Sequence, residues 1–202
     1  VDEQKEMLEQ IKSSCKYMYD LIFTILDTYL YDNGLTKINA EKFDILALLN
    51  ETTRSMSNLL RERNQKLIIN TNLTSNIVVA DKVQIKRVII NLLANAVKHG
   101  FKNSDIEVFV TENDENIKME VKNKSEYINK EQMKEIFEKY KHSQNAKSIK
   151  TSTGLGLYLS KQIIDAHNGQ VYAHSDENKN CTFGFEIPKK LVSNPTNKQE
   201  IH

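Results

Sequence analysis

Asn91-Leu-Leu-Ala-Asn95-Ala-Val-Lys98 decides how the rest of the chain is read. Asp81 precedes it as a helix N-cap, and the pattern predicts a helix over residues 82–99 that Gly100 stops. Ile85, Val88, Ile89, Leu92 and Ala96 recur at helical spacing and form its buried face. Asn91, Asn95 and Lys98 fall on a different face, one and two turns apart. Two amides and an ammonium so spaced suit a metal ion and a phosphate chain. A merely solvated helix face suits them equally well.

A second segment narrows the choice. Thr151-Ser-Thr-Gly154-Leu-Gly156-Leu-Tyr-Leu places two glycines where a loop enters a helix. Leu159, Ile163 and Ala166 continue a helical stripe as far as Asn168-Gly169. Glycines ahead of a helix let backbone N–H groups approach an anion, and the helix N-terminus favours negative charge. A lone Gly-x-Gly is often only a turn. Behind an Asn-rich helix it points to a phosphate site.

Outside these segments the chain reads as an alternation of helices and strands. Leu8, Ile11, Cys15, Met18, Ile22, Ile25 and Tyr29 alternate by three and four residues, the seam of a coiled coil or helical bundle; Asn33-Gly34 ends that helix. A polar connector, 35–42, leads to a helix capped by Asp44 and running to about Asn64. Lys66–Asn70 and Ile77–Ala80 read as strands, and 105–112 with 116–123 as a hairpin around Asn113-Asp114. A helix over 130–140, the glycine-led helix and two strands near Val171 and Phe183 complete the set. The fold class is α+β, a two-layer sandwich of a mainly antiparallel sheet with helices on one face, preceded by a long bundle-forming helix.

Bulk properties agree. At 39% hydrophobic and 27% charged residues, the 202-residue chain can build a packed core. A net charge of +1 gives no reason to expect nucleic acid as a partner. No apolar run is long enough to span a bilayer. Cys15 and Cys181 lack metal-ligand spacing and fit a reducing, cytoplasmic compartment, with Cys15 packed as a small hydrophobe.

The Asn helix and the glycine segment resemble the N box and second glycine box of sensor histidine kinases, within the GHKL ATP-binding superfamily of Bergerat-type sandwiches. Ile136-Phe-Glu-Lys-Tyr140 looks like the intervening phenylalanine box, and Cys181-Thr-Phe-Gly-Phe-Glu-Ile-Pro188 like the closing strand. The first helix looks like the second helix of the dimerisation and phosphotransfer hairpin. On this resemblance the chain divides into half a hairpin (1–34), a connector (35–42), a catalytic domain (43–190) and a flexible tail (191–202). The phospho-acceptor histidine is expected on an upstream helix outside this sequence. None of His99, His142, His167, His174 and His202 carries the acceptor motif.

The resemblance implies roles for particular residues. Asn95 is the Mg²⁺ ligand, an amide oxygen that adds no charge beside the phosphates. Lys98 meets phosphate oxygens as a point charge. His99 contacts phosphate or merely caps the helix. Gly154, Leu155, Gly156 and Leu157 offer backbone to the nucleotide. Asn91 stands where the hydrolytic relatives, such as DNA gyrase, carry a glutamate that activates water; an amide is no base at neutral pH, which favours transfer over hydrolysis. Asn123 takes the adenine-recognition position, with Ile128 close behind. The first glycine box departs from its pattern, since Ser125 and Tyr127 replace both glycines. Two outcomes follow, retuned ATP affinity or a pseudokinase or scaffold with a closed pocket. Lys141, Lys147 and Lys150 fall in the ATP-lid segment, His142 replaces a common arginine, and Thr182 matches a threonine near adenine. The implied partners are ATP with Mg²⁺, the phosphotransfer helix of the same chain or a dimer mate, and a response-regulator receiver domain. The full-length protein is expected to be a homodimer, anchored to the membrane or not.

Overall fold

A computed structural model describes residues 2–140 and 154–190. Helix α1 (Asp2–Asp32) leads into strand β1 (Glu41–Asp44), helices α2 (Ile45–Ser55) and α3 (Ser57–Glu62), and strands β2 (Leu67–Thr71) and β3 (Ile77–Ala80). Helix α4 (Lys82–His99), strands β4 (Ile106–Glu112) and β5 (Asn116–Lys124) and helix α5 (Lys130–Glu135) follow. Helix α6 (Gly156–Ala166) and strands β6 (Gln170–Ser175) and β7 (Asn180–Pro188) close the fold.

Five strands form one sheet in the order β2-β4-β5-β7-β6. Only the β2–β4 pair is parallel, with α4 inside the crossover; the others are antiparallel. Alternate residues of the central strands are buried: Ile106, Val108 and Val110 on β4, Ile117, Met119 and Val121 on β5, Phe183, Phe185 and Ile187 on β7. They meet Leu48 and Leu49 of α2, Ile85 to Val97 of α4 and Ile163 and Ile164 of α6 in one hydrophobic cluster. The sandwich is thus a helical layer on one face of a mainly antiparallel sheet, as the patterning predicts.

Several elements differ from the sequence reading. The helix after Asp44 breaks at Met56 instead of continuing to Asn64. Thr52, Thr53 and Ser55 turn their hydroxyls back onto the carbonyls of Leu48, Leu49 and Thr52, which weakens a helix at its last turn. The connector contains a strand, because β3 offers an edge on which β1 pairs and Phe43 turns inward. The helix from Lys130 stops at Glu135, and Tyr140 takes a left-handed φ of 60°. Cys15 is exposed, not packed. Its whole stripe lies open: Leu8, Ile11, Met18, Ile22, Ile25 and Tyr29 are all exposed on α1. No described helix is long and apolar enough to cross a membrane.

The N-terminus of α4 is held by Asp81. One carboxylate oxygen accepts from the N–H of Gln84, capping the helix, and the other accepts from the N–H of Asn39 in the connector. The Asp81 N–H donates in turn to Nε2 of His167 (3.0 Å), whose Nδ1–H donates to the carbonyl of Ile163 (2.7 Å). Only the neutral ring protonated on Nδ1 satisfies both bonds. His167 is fully buried, and burial pushes its pKa below the ordinary value, against the weaker upward pull of the Ile163 carbonyl and the Asp81 carboxylate.

A histidine buried neutral binds fewer protons folded than unfolded, so its contribution to stability is complete above about pH 6.5 and is lost as pH falls from there through the lowered folded value. The melting temperature is expected to be level above neutrality and to decline from about pH 6.5 downward. A His167→Gln variant should flatten that part of the profile and lose about 1–3 kcal/mol at pH 7.5. Parallel melting profiles for the two proteins would refute the assignment.

Candidate functional site

Helices α4 and α6 run antiparallel along each other. Asp81 and His167 meet at one end, and Asn91 meets Ser160 and Gly156 at the other. The Asn91 Nδ2 amide donates to Ser160 Oγ at 2.8 Å. A Cβ on Gly156 would stand 2.4 Å from Asn91 Oδ1, so a larger residue here would push the Asn91 amide out of its place between α4 and α6. Gly154, two residues earlier, adopts a φ of +66°, a conformation that glycine supplies without strain. Its carbonyl accepts from the N–H of Tyr140, fastening the segment after α5 to the start of α6.

This geometry aims the N-terminus of α6. Because the helices are antiparallel, the positive end of the α6 dipole points along α4 towards Asn95 and Lys98. They lie about 6 Å and 10 Å beyond Asn91 at the α-helical rise. The N-cap residue of α6 is Leu155, whose side chain makes no cap hydrogen bond. Leu155 is buried and Leu157 packs on the core, so both anchor the turn. Asn95 and Lys98 are half-buried, and among the described residues Lys98 makes no ion pair. Burial alone lowers the Lys98 pKa. A partly desolvated ammonium on the stretch of α4 that a positive helix terminus points along favours negative charge there. His99 is exposed at the end of α4.

At the end of β5, Asn123 continues the inward parity of Ile117, Met119 and Val121 and is 4% exposed. Its Nδ2 donates to the carbonyl of Lys124 and lies close to Gly100. Gln65 and Arg63 hold the chain leaving α4 by donating to the carbonyls of Phe101 and Gly100. Ser125 is buried and pairs with Gly100, its N–H donating to the carbonyl of Lys179. Neither Ser125 nor Tyr127 takes a positive φ, so the backbone here does not require glycine. Tyr127 is 36% exposed and does not fill the core beneath the sheet. Ile128 packs on the core and donates its N–H to Ser175 Oγ.

Thr182 departs from expectation. The register pairs Cys181 with Asn123 and Thr182 with Lys122, so alternation puts Thr182 on the opposite face of the sheet. Buried Cys181 occupies the position beside Asn123. The sequence motif identifies the strand, and only the register reveals which of two adjacent residues turns inward. Lys141, His142, Lys147 and Lys150 lie outside the described residues. Ser160, His167, Arg63 and Gln65 escaped the sequence reading because their partners are far away in the chain. One local clue exists: Ser160 lies one turn after Gly156, on the same side of α6.

A magnesium ion fits this donor set. Asn95 supplies a neutral oxygen, its amide makes no hydrogen bond among the described residues, and phosphates and water complete such a shell. Among the described residues no cluster of three His, Cys, Asp or Glu side chains offers an alternative metal site.

Known proteins share this fold. The family described as histidine kinase-, DNA gyrase B-, and HSP90-like ATPase matches residues 80–191. The sensor protein KdpD of Clostridium acetobutylicum is 28% identical over 95% of this chain, which spans 21% of that protein's length. Among solved structures, the nucleotide-free catalytic domain of the histidine kinase ThkA is 28% identical, with a TM-score of 0.65 over 76% of this chain and 97% of that one. ThkA in complex with the response regulator protein TrrA has the same fold, at 24% identity and a TM-score of 0.69 over 88% of this chain and 50% of that one. Glycine-led helix, Asn helix and matched family coincide, and the chain belongs to the histidine kinase-, DNA gyrase B-, and HSP90-like ATPases as a catalytic domain of the sensor histidine kinase kind.

Proposed function

We propose that the domain binds Mg·ATP between α4 and α6 and donates the γ-phosphoryl group to a histidine on a separate helix, for relay to an aspartate of a response-regulator receiver domain. The observation that supports this reading is the Gly156–Asn91 contact, which starts α6 one turn short of Asn95 and two turns short of Lys98, a lysine with no counter-ion among the described residues. ATP is the substrate. Asn95 would hold the metal, which when bound would screen the triphosphate and polarise the γ-phosphoryl group. Lys98 and the first N–H groups of α6 bind phosphate oxygens. Asn123 accepts from the adenine amino group, without the added strength of a carboxylate.

The acceptor imidazole nitrogen forms the new P–N bond as the bond from the γ-phosphorus to the ADP oxygen breaks. Asn91 is a positioning residue in this scheme. Its amide is engaged by Ser160 and offers no carboxylate to activate water, which favours transfer over hydrolysis. In the whole protein, α1 is the second helix of a dimerising hairpin whose exposed stripe meets partner helices. Residues 43–190 are the catalytic unit, working in the cytoplasm.

Three measurements test this reading. Calorimetric titration should show ATP binding that strengthens with Mg²⁺. Asn95→Ala should abolish the magnesium dependence and weaken binding by about tenfold or more; equal affinity with and without the metal in the parent protein would remove Asn95 from its role. Gly156→Ala forces a methyl group onto Asn91 and should cost about 1–3 kcal/mol in urea unfolding while depressing nucleotide affinity at least as much. Lys98→Met is expected to separate stability from function. The folded state disfavours the charged lysine, so at pH 7 the variant should melt no lower than the parent, yet bind ATP several-fold more weakly. A lower melting point with unchanged affinity would make Lys98 structural.

A further inference from the structure

The last turn of α1 ends on Asp32 and holds no basic residue. A carboxylate at the C-terminus of a helix meets the negative end of the helix dipole and is unfavourable unless a cation faces it. Here the cations come from the catalytic unit. Arg87 of α4 pairs with Asp27, and Lys139, which follows α5, pairs with Asp32. The other Asp32 oxygen accepts from the hydroxyl of Tyr158, and the Lys139 ammonium stands 4.9 Å above the Tyr158 ring. The three groups form a closed triangle. The Lys139 ammonium first, then the Tyr158 hydroxyl, hold the Asp32 carboxyl below its ordinary pKa.

Two members of the triangle flank the start of α6. Tyr158 lies two residues after Gly156 in the first turn of α6. Lys139 precedes Tyr140, whose N–H bonds the Gly154 carbonyl. The Lys139 ammonium therefore sits beside the helix terminus that faces phosphate, yet it is committed to an acid on α1.

We propose that Asp32 is an autoinhibitory latch, competing with the phosphates of the nucleotide for Lys139 and so coupling the seat of α1 to nucleotide occupancy. The inference rests on the nucleotide site proposed above and adds Lys139 to it as a phosphate contact. Asp32 opposes the ligand twice, by holding the cation and by placing a negative charge near the triphosphate. Linkage makes the effect reciprocal: nucleotide loosens the end of α1, and a partner that draws α1 away tightens nucleotide binding.

The test is calorimetric titration of the magnesium complex of a non-hydrolysable ATP analogue. It compares the parent protein, Asp32→Ala, Lys139→Gln and the double variant, with Glu51→Ala as control. Glu51 forms a surface pair with Lys86 on other elements. Asp32→Ala should bind roughly two- to fivefold tighter, the scale of one exposed charge pair. The gain should vanish in the Lys139→Gln background, and Glu51→Ala should match the parent. Hydrogen exchange supplies the second readout: analogue should speed exchange at residues 28–33 of the parent, while Asp32→Ala should exchange fast there without it. A parent that binds analogue with the same affinity as Asp32→Ala overturns the latch and leaves the nucleotide site standing. A parent that binds no analogue overturns both.

Discussion

The contact between Gly156 and Asn91 is the constraint on which the rest depends. A carbon added at Gly156 would stand 2.4 Å from the Asn91 amide oxygen, so any larger residue displaces that amide from its place between the helices. That approach fixes where α6 begins, and the start of a helix is where its unpaired N–H groups and positive dipole end lie. The same contact occupies the amide of Asn91 and leaves Asn95 and Lys98 to extend past the terminus. At the far end of the helix pair, the neutral ring of His167 joins the α6 C-terminus to the α4 cap. The pair is therefore pinned at both ends, and Asn95 and Lys98 lie on α4 beyond the pinned length.

What could be read from the sequence follows from how local each signal is. The bounds of α4, its Asp81 cap and its Gly100 stop were all legible, since a cap, a period and a stop lie within one stretch of chain. The β4–β5 hairpin was legible for the same reason, through alternation on both sides of Asn113-Asp114. Strand β1 was not, because only its pairing with β3 makes it a strand. The break at Met56 lay hidden in a run whose apolar spacing favours helix while three hydroxyl side chains oppose it. In the site, Asn91 and Gly156 come from two separate motifs and meet in space. Thr182 fails because adjacent residues of a strand face opposite ways, and the motif alone does not fix the parity.

The departures from the family pattern also have a physical account. Glycines are needed where φ is positive or where a Cβ would collide. Gly154 and Gly156 meet these conditions, one each, and both are kept. Ser125 and Tyr127 meet a backbone without positive φ. Ser125 continues the pairing at the end of β5, and Tyr127 turns partly to solvent. The chain thus retains glycine where the helix terminus depends on it and relaxes it where the sheet edge carries the geometry. The exchange at Asn123 is of another kind, since it changes hydrogen-bond strength and leaves shape untouched.

The long register between β5 and β7 has a consequence for how the fold assembles and diversifies. Nine pairs, Asn116↔Pro188 to Lys124↔Asn180, join these central strands, while residues 125–179 depart from and return to one edge of the ladder. The entropic cost of closing such a loop grows only with the logarithm of its length, about 0.6 kcal/mol for each doubling. Changes of length between α5 and α6 would therefore add little to the cost of closing this ladder, while α6 and β6 remain tied to the core and to β7. The pairing of the central strands and the length of the turns between their flanking elements become nearly independent problems.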